Sequence, residues 1–153
     1  MGIKRRTKKY SRPKKPFDSQ RISEEKRIMQ KFGLKNKKEI WKAEFQVKVI
    51  KRKAKKLITA SEEEKKEFVN RLKEKGFKIE NIVEALDLKT EDWLSRRLQT
   101  VVFNKGFAKT IKEARQLVTH KKIKVGDRVV NIPSYFVNKD EENKIKIKVG
   151  ENG

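Results

Sequence analysis

The chain has 153 residues, of which 42% are charged and 35% hydrophobic, with 43 lysines and arginines against 21 aspartates and glutamates. A net charge of +22 repels itself and calls for a polyanionic partner whose counterions are released on binding. The absence of cysteine excludes disulfides and thiolate metal sites, one histidine leaves little to hold zinc, and no apolar run is long enough for a membrane span or a secretory signal core, so the expectation is an intracellular protein without metal or cofactor. The basic excess is uneven. Residues 1–56 hold 22 basic and 5 acidic side chains, net +17, whereas residues 57–153 hold 21 and 16, net +5.

Residues 1–16, "MGIKRRTKKYSRPKKP", carry eight basic side chains, two prolines and no acid. They cannot bury a core, so the segment reads as an extended or disordered arm. A solubilising tail is the bland reading; a polyanion-binding arm that includes Lys4, Arg5, Arg6, Lys8 and Lys9 is the favoured one. A helix is predicted from Asp18 or Ser19 to Gly33. Asn36 and Glu39 have capping-box spacing, and Ile40, Ala43, Val47, Ile50, Ala54 and Leu57 then form an apolar seam widened by Trp41 and Phe45. Beside it runs a basic ridge of Lys48, Lys51, Arg52, Lys53, Lys55 and Lys56.

Ser61 and Glu64 repeat the capping-box spacing for a helix that buries Phe68, Val69 and Leu72 and ends at Gly76. A helical turn in "IENIVEAL" is predicted to bury Ile79, Ile82, Val83 and Leu86. Thr90, followed by Glu91 and Asp92, is read as the cap of a helix whose apolar face is Trp93, Leu94, Leu98, Val101 and Val102 and whose end is Gly106. Thr110 and Glu113 open the next, with Ile111, Ala114, Leu117 and Val118 inward, which makes a helix-turn-helix pair across "GFAK". "KIKV" and "RVVNI" flank Gly126-Asp127, a pair suited to a type II′ hairpin, with Pro133 closing the second strand. "KIKIKV", residues 144–149, can complete the sheet, after "NKDEEN" read as a solvated turn.

This order places Arg96, Arg97, Lys105, Lys109, Arg115, His120, Lys121, Lys122, Lys124 and Arg128 along one expected basic edge. Strand alternation turns Ile123 and Val125 inward and Lys122 and Lys124 outward. Such an edge suits the phosphate backbone of a structured RNA recognised by shape. Taken alone, His120 is as readily a helix-ending or packing residue. Trp41, Phe45 and Trp93 read as core rather than base-stacking platforms, while Phe107 and Tyr135 are open. A basic helix lying on a membrane would leave the hairpin lysines unexplained. A major-groove DNA reader would need base-reading side chains early in its second helix, where Ile111, Lys112 and Glu113 stand. No phosphate loop or catalytic constellation is present, so no enzyme is expected.

Residues 95–137, through "RL..VVF..GFA.T..EARQLV.H..I.V" and "VVNIPSY", resemble the RNA-binding domain of the S-four family of small-subunit ribosomal proteins. "KKYSRPKKPF", "KFGLKNKKEIWKAEF" and "KRKAKKL" resemble that family's archaeal and eukaryotic branch. The resemblance implies a structural protein of the small ribosomal subunit in the cytoplasm. It implies binding of small-subunit ribosomal RNA at a multi-helix junction, early in assembly. The neighbours it implies are the third and fifth small-subunit proteins and the messenger RNA entry channel. By position it turns Arg97, Lys105, Thr110, Arg115, His120, Lys122 and Tyr135 toward RNA. The cysteine-held zinc of some bacterial relatives has no counterpart here, and Gly126-Asp127 stands where many relatives have Asn-Gly. The alternative on the same domain is a free RNA-binding regulator or ribosome-rescue factor.

The expected fold is therefore mainly α with a small β-sheet (α+β). Its divisions are a basic arm at 1–17, a helical N-terminal domain at 18–89, a helix-turn-helix plus hairpin domain at 90–137, and a C-terminal strand and tail at 138–153.

Overall fold

A computed structural model describes residues 7–148; Lys4, Arg5 and Arg6 of the arm and the last residue of the predicted "KIKIKV" strand lie outside the described residues. The elements run α1 (Ser19–Phe32), α2 (Lys37–Leu57), α3 (Glu62–Glu74), a 3-10 turn (Glu84–Leu86), α4 (Thr90–Ser95), α5 (Leu98–Asn104), α6 (Ile111–Thr119), β1 (Ile123–Val125), β2 (Arg128–Val129), α7 (Lys139–Glu142) and β3 (Ile145–Ile147). The fold is mainly helical with one three-stranded antiparallel sheet of order β2-β1-β3.

Asp18 caps α1 by accepting from the Gln20 N–H at 3.2 Å, and Gly33 ends it in the left-handed conformation (φ 60°), with the Leu34 N–H returning to the Met29 carbonyl at 2.9 Å. A Cβ at residue 33 would also stand 2.7 Å from the Gln99 amide nitrogen, so a side chain is excluded there by space as well as by backbone. The α2 seam is buried as its spacing predicts at Ile40, Ala43, Val47, Ile50 and Ala54. Each large aliphatic side chain so buried contributes about 1.5–3 kcal/mol.

Three groups of buried side chains form the interior. Phe32, Leu34, Ile40, Ala43 and Leu94 join α1, α2 and α4. Val47, Ile50, Ala54, Val69, Leu72, Phe77, Ile79, Ala85 and Leu88 join α2, α3 and the 3-10 turn. Leu98, Val101, Val102, Ala108, Ala114, Val118, Ile123, Val125, Val137 and Ile145 join α5, α6 and the sheet. Trp93 bridges the first two groups. Its ring centroid lies 4.5 Å from that of Phe136 and 6.0 Å from that of Phe77, which ties the segment after β2 to the N-terminal helices.

Several expectations are corrected. The single helix predicted from Thr90 to Gly106 is broken. Thr90 is its first helical residue rather than its cap, and Arg97 between α4 and α5 is extended (φ −70°, ψ 143°). The break is tertiary in origin. Arg97 bridges Phe136, the Leu98 N–H donates to the Tyr135 carbonyl at 2.8 Å, and the Val137 N–H donates to the Arg96 carbonyl at 2.9 Å. Residues 133–137 thus cap α5, which is why the second hairpin strand stops at Val129 instead of running to Ile132. In the "IENIVEAL" turn, Val83 is exposed and Ala85 takes the inward place. The acidic linker "NKDEEN" buries none of its residues, as a solvated turn should, but it is coiled into α7, capped by Asn138. Asn36 caps α2 through the Lys38 N–H at 2.9 Å, and Glu39 does not close a capping box.

Candidate nucleic-acid interface

Glu39 instead crosses to the C-terminal half. Its carboxylate accepts from the Arg97 Nη2 at 2.9 Å and stands 3.6 Å from the Arg115 Nη2. The Arg97 side chain is only 5% exposed and one of its guanidinium nitrogens has no partner. Burial pulls its pKa down, Glu39 opposes that, and Arg115 adds to it. Arg115 also donates to the Gly33 carbonyl and the Gln99 side-chain oxygen, both at 3.4 Å. Gln99, fully buried, donates to the carbonyls of Gly33 (3.3 Å) and Ile111 (3.0 Å). One polar knot therefore fixes α6 against the end of α1 and the start of α2.

Arg96 and Lys105 are engaged on another side. The Arg96 guanidinium donates to the Val137 carbonyl at 2.8 Å and to Glu142 at 2.8 Å, and the Lys105 ammonium donates to the Glu142 carbonyl. Tyr135 donates its hydroxyl to Glu141 at 2.7 Å, and that bond pushes the phenol pKa up. The continuous basic edge expected from the sequence is thus divided. Arg96, Arg97 and Lys105 serve as internal ties, and Tyr135 is held by α7. Thr110 is occupied as the α6 cap, accepting from the Glu113 N–H at 3.1 Å, while Glu113 accepts from the Lys109 N–H at 2.7 Å.

The hairpin carries the open charges. Gly126 takes φ 63° at the first position of the two-residue loop, as the type II′ reading requires, and Val125 pairs with Arg128 across it. Lys124 lies directly opposite Lys146, and the Lys148 N–H bonds the Lys122 carbonyl at 2.7 Å. Because strand side chains alternate, Lys122, Lys124, Lys146 and Lys148 share one sheet face, with Val129 beside Lys124. Lys146 and Lys148 were missing from the sequence-derived set. Their alternation was visible, but only the pairing of β3 with β1 puts them beside Lys122 and Lys124. Lys121, at the turn from α6 into β1, is the only non-glycine residue with positive φ among the described residues, at 59°. His120 ends α6 and is exposed, as are Lys121 and Arg128.

Between α1 and α6 lies an open cleft of about 640 Å³. Lys26, Lys35, Lys112, Arg115 and His120 line it, with Met29 and Leu34 among its apolar walls and the side chains of Gln30 and Gln116 at its sides. Among the described residues, no carboxylate lines it. On α2, Lys48, Arg52, Lys53, Lys55 and Lys56 are exposed and Lys51 is half-buried. In the arm, Lys8 and Lys9 are exposed, the Lys15 and Pro16 carbonyls both accept from Arg21 at 3.0 Å, and the Tyr10 ring lies 5.8 Å from the Lys38 ammonium. Among the described residues, none of the α2 ridge or hairpin cations forms an ion pair with a carboxylate.

The S4 domain model matches residues 96–143, from the break between α4 and α5 to the residue after α7. The chain is 43% identical to the small ribosomal subunit protein uS4 of Methanothermobacter thermautotrophicus over 95% of its own length and 89% of that protein. It is 42% identical to the uS4 of Nanoarchaeum equitans (93% and 83% of the two chains) and 44% identical to that of Methanosphaera stadtmanae (92% and 81%). The chain belongs to the uS4 family of small ribosomal subunit proteins. The resemblance read from "RL..VVF..GFA" and "VVNIPSY" is the correct one, and the three uS4 relatives are archaeal, as the N-terminal motifs anticipate. Strand β3, with Lys146, lies beyond the segment matched to the S4 domain although it completes the sheet built on β1.

Proposed function

We propose that the protein is a non-catalytic structural constituent of the small ribosomal subunit that binds and shapes small-subunit ribosomal RNA. The observation that carries this reading is the Lys124–Lys146 pair. Like charges directly opposite in an antiparallel ladder destabilise the sheet, and among the described residues no carboxylate forms an ion pair with either. A polyanion laid across the sheet removes that cost and releases counterions. Lys122 lies on that same face; the α2 ridge (Lys48, Lys51, Arg52, Lys55, Lys56), the arm (Lys8, Lys9) and His120, Lys121 and Arg128 are further cations offered to the RNA. Arg115 acts at their inner margin. Arg96, Arg97, Lys105, Thr110 and Tyr135 act chiefly by holding the elements that present them, while the exposed side chain of Lys109 is a further cation offered to the RNA.

In this reading the arm (1–17), helical part (18–89), hairpin domain (90–137) and final segment (138–153) bind one folded RNA junction in the cytoplasm. They do so early in subunit assembly, near the messenger RNA entry channel and beside the third and fifth small-subunit proteins. The S-four resemblance supports these finer points. The test is binding of the full chain to small-subunit ribosomal RNA across a salt series. The log–log slope falls by about 0.7–0.9 for each phosphate neutralised, so a steep dependence is expected and a flat one overturns the reading. Retention on purified small subunits washed at moderately high salt separates a structural subunit from a free RNA-binding factor.

A further inference from the structure

The basic surfaces above are open and read charge. The cleft between α1 and α6 is a different kind of place. It is concave, its volume of about 640 Å³ falls within the range of small-ligand sites, and its walls are apolar at Met29 and Leu34. Every ionisable side chain that lines it is a lysine, arginine or histidine. The plane of Arg115 borders the cleft and is positioned by Glu39, Gly33 and Gln99 through contacts of 3.4–3.6 Å, close enough to orient it and long enough to leave donors for a ligand. The side-chain amides of Gln30 and Gln116 form no hydrogen bond among the described residues. An apolar slot, a guanidinium plane, two uncommitted amides and a cationic rim together match one chemical species: a flat heterocycle with hydrogen-bonding edges that carries phosphates.

We propose that this cleft binds a single unstacked RNA nucleotide, its base seated between Met29, Leu34 and Arg115 and read by Gln30 and Gln116, its flanking phosphates on Lys26, Lys35 and Lys112. Single-stranded RNA is recognised in this way, by splaying a base out of the stack onto side-chain planes and amides. The inference rests on the RNA-binding reading and adds to it a nucleotide-selective pocket, distinct from the lysine face of the sheet. The pocket lies where α6 ends at His120, so an RNA strand that crosses the hairpin reaches it without leaving the basic surface.

The test compares the full chain with Gln30→Ala/Gln116→Ala and with Lys124→Ala/Lys146→Ala, each saturated with small-subunit ribosomal RNA and probed by chemical modification of base edges at single-nucleotide resolution. Both glutamines are exposed, so the first variant keeps the fold, checked by circular dichroism and thermal midpoint. The wild type is expected to protect one unpaired base. The glutamine variant should lose that protection and roughly tenfold in affinity, with an unchanged salt slope. The lysine variant should bind more weakly with a smaller salt slope, yet protect the same base at saturation. Equal protection by the wild type and the glutamine variant overturns the pocket while leaving RNA binding intact. So does displacement of bound RNA from the cleft side by poly-glutamate without any base protection, which would mark an acidic peptide as the occupant. Failure of the wild type to bind the RNA overturns the functional reading itself, and the pocket with it.

Discussion

Glu39 and Arg97 meet at 2.9 Å across 58 residues of chain, and the pair joins the first turn of α2 to the extended residue between α4 and α5. Removing one partner of a buried pair leaves the other charge uncompensated, which costs about 3–5 kcal/mol. Glu39→Ala is therefore expected to lower the unfolding free energy by that amount in denaturant titration. Glu91→Ala, which breaks the exposed Lys31–Glu91 pair, should cost less than about 1 kcal/mol. A double change of Glu39→Leu with Arg97→Met should recover only part of the loss, because the apolar pair that replaces the buried ionic one leaves Arg115 without its carboxylate.

Glu25 sets the acid side of the stability profile. It is buried in α1, and burial alone would raise its pKa. The Trp41 indole N–H at 3.0 Å, Arg21 at 2.7 Å and Lys37 at 3.4 Å together outweigh burial and hold the pKa below the ordinary value of 4.5. A depressed carboxylate stabilises the fold fully above the unfolded-state pKa, and that contribution fades as pH falls through the folded-state pKa. Glu25→Gln should be less stable than the wild type at neutral pH, and the gap should narrow below about pH 4.5 in thermal melts. Glu44 runs the other way. Its burial raises its pKa, so ionising it works against the fold, and Glu44→Gln should raise stability at neutral pH.

The Lys124–Lys146 pair predicts a trade between stability and binding. Lys146→Thr puts a strand-favouring neutral side chain opposite Lys124. The free protein should gain about 0.2–1 kcal/mol. Its affinity for small-subunit RNA should fall, and the salt slope should shrink by about one ion. Unfolding curves and a salt series on the same variant check both signs; a parallel loss of stability and affinity would contradict them.

Lys121 behaves in the same sense for a backbone reason. Its φ of 59° costs a side-chain-bearing residue about 1–2 kcal/mol, and glycine avoids that cost while losing some of it to unfolded-state entropy. Lys121→Gly should stabilise the free protein by a few tenths to about 1 kcal/mol and weaken RNA binding, measured by melting and by filter binding.

Local rules made the helices legible. Asp18, Ser61 and Thr110 cap as their side chains dictate, and the α2 seam from Ile40 to Ala54 is buried at the spacing its period requires. The break at Arg97 was not legible, since Arg96-Arg97 suits a helix interior and only pairing with Phe136, far along the chain, opens it. The candidate surface divided along the same line. The outward placing of Lys122, which is exposed, and of Lys124, which is half-buried, followed from alternation, whereas the internal ties of Arg96 to Glu142 and Arg97 to Glu39 depend on carboxylates brought in by tertiary packing. The cleft had no signature at all, because α1 and α6 meet only in three dimensions.

The central position of β1 in the sheet has a consequence for how the molecule is made. Ile123 and Val125 find their second set of partners only in Ile147 and Ile145, so the hairpin is unclosed on one side until the last of these residues has emerged during vectorial synthesis. Most of the interior built on α1, α2 and α3 draws on residues 32–94 and can collapse well before that. The newborn chain thus acquires the lysine-bearing face of its sheet as a late event, long after the basic ridge of α2 has been made, and the arrival of one short strand sets that moment.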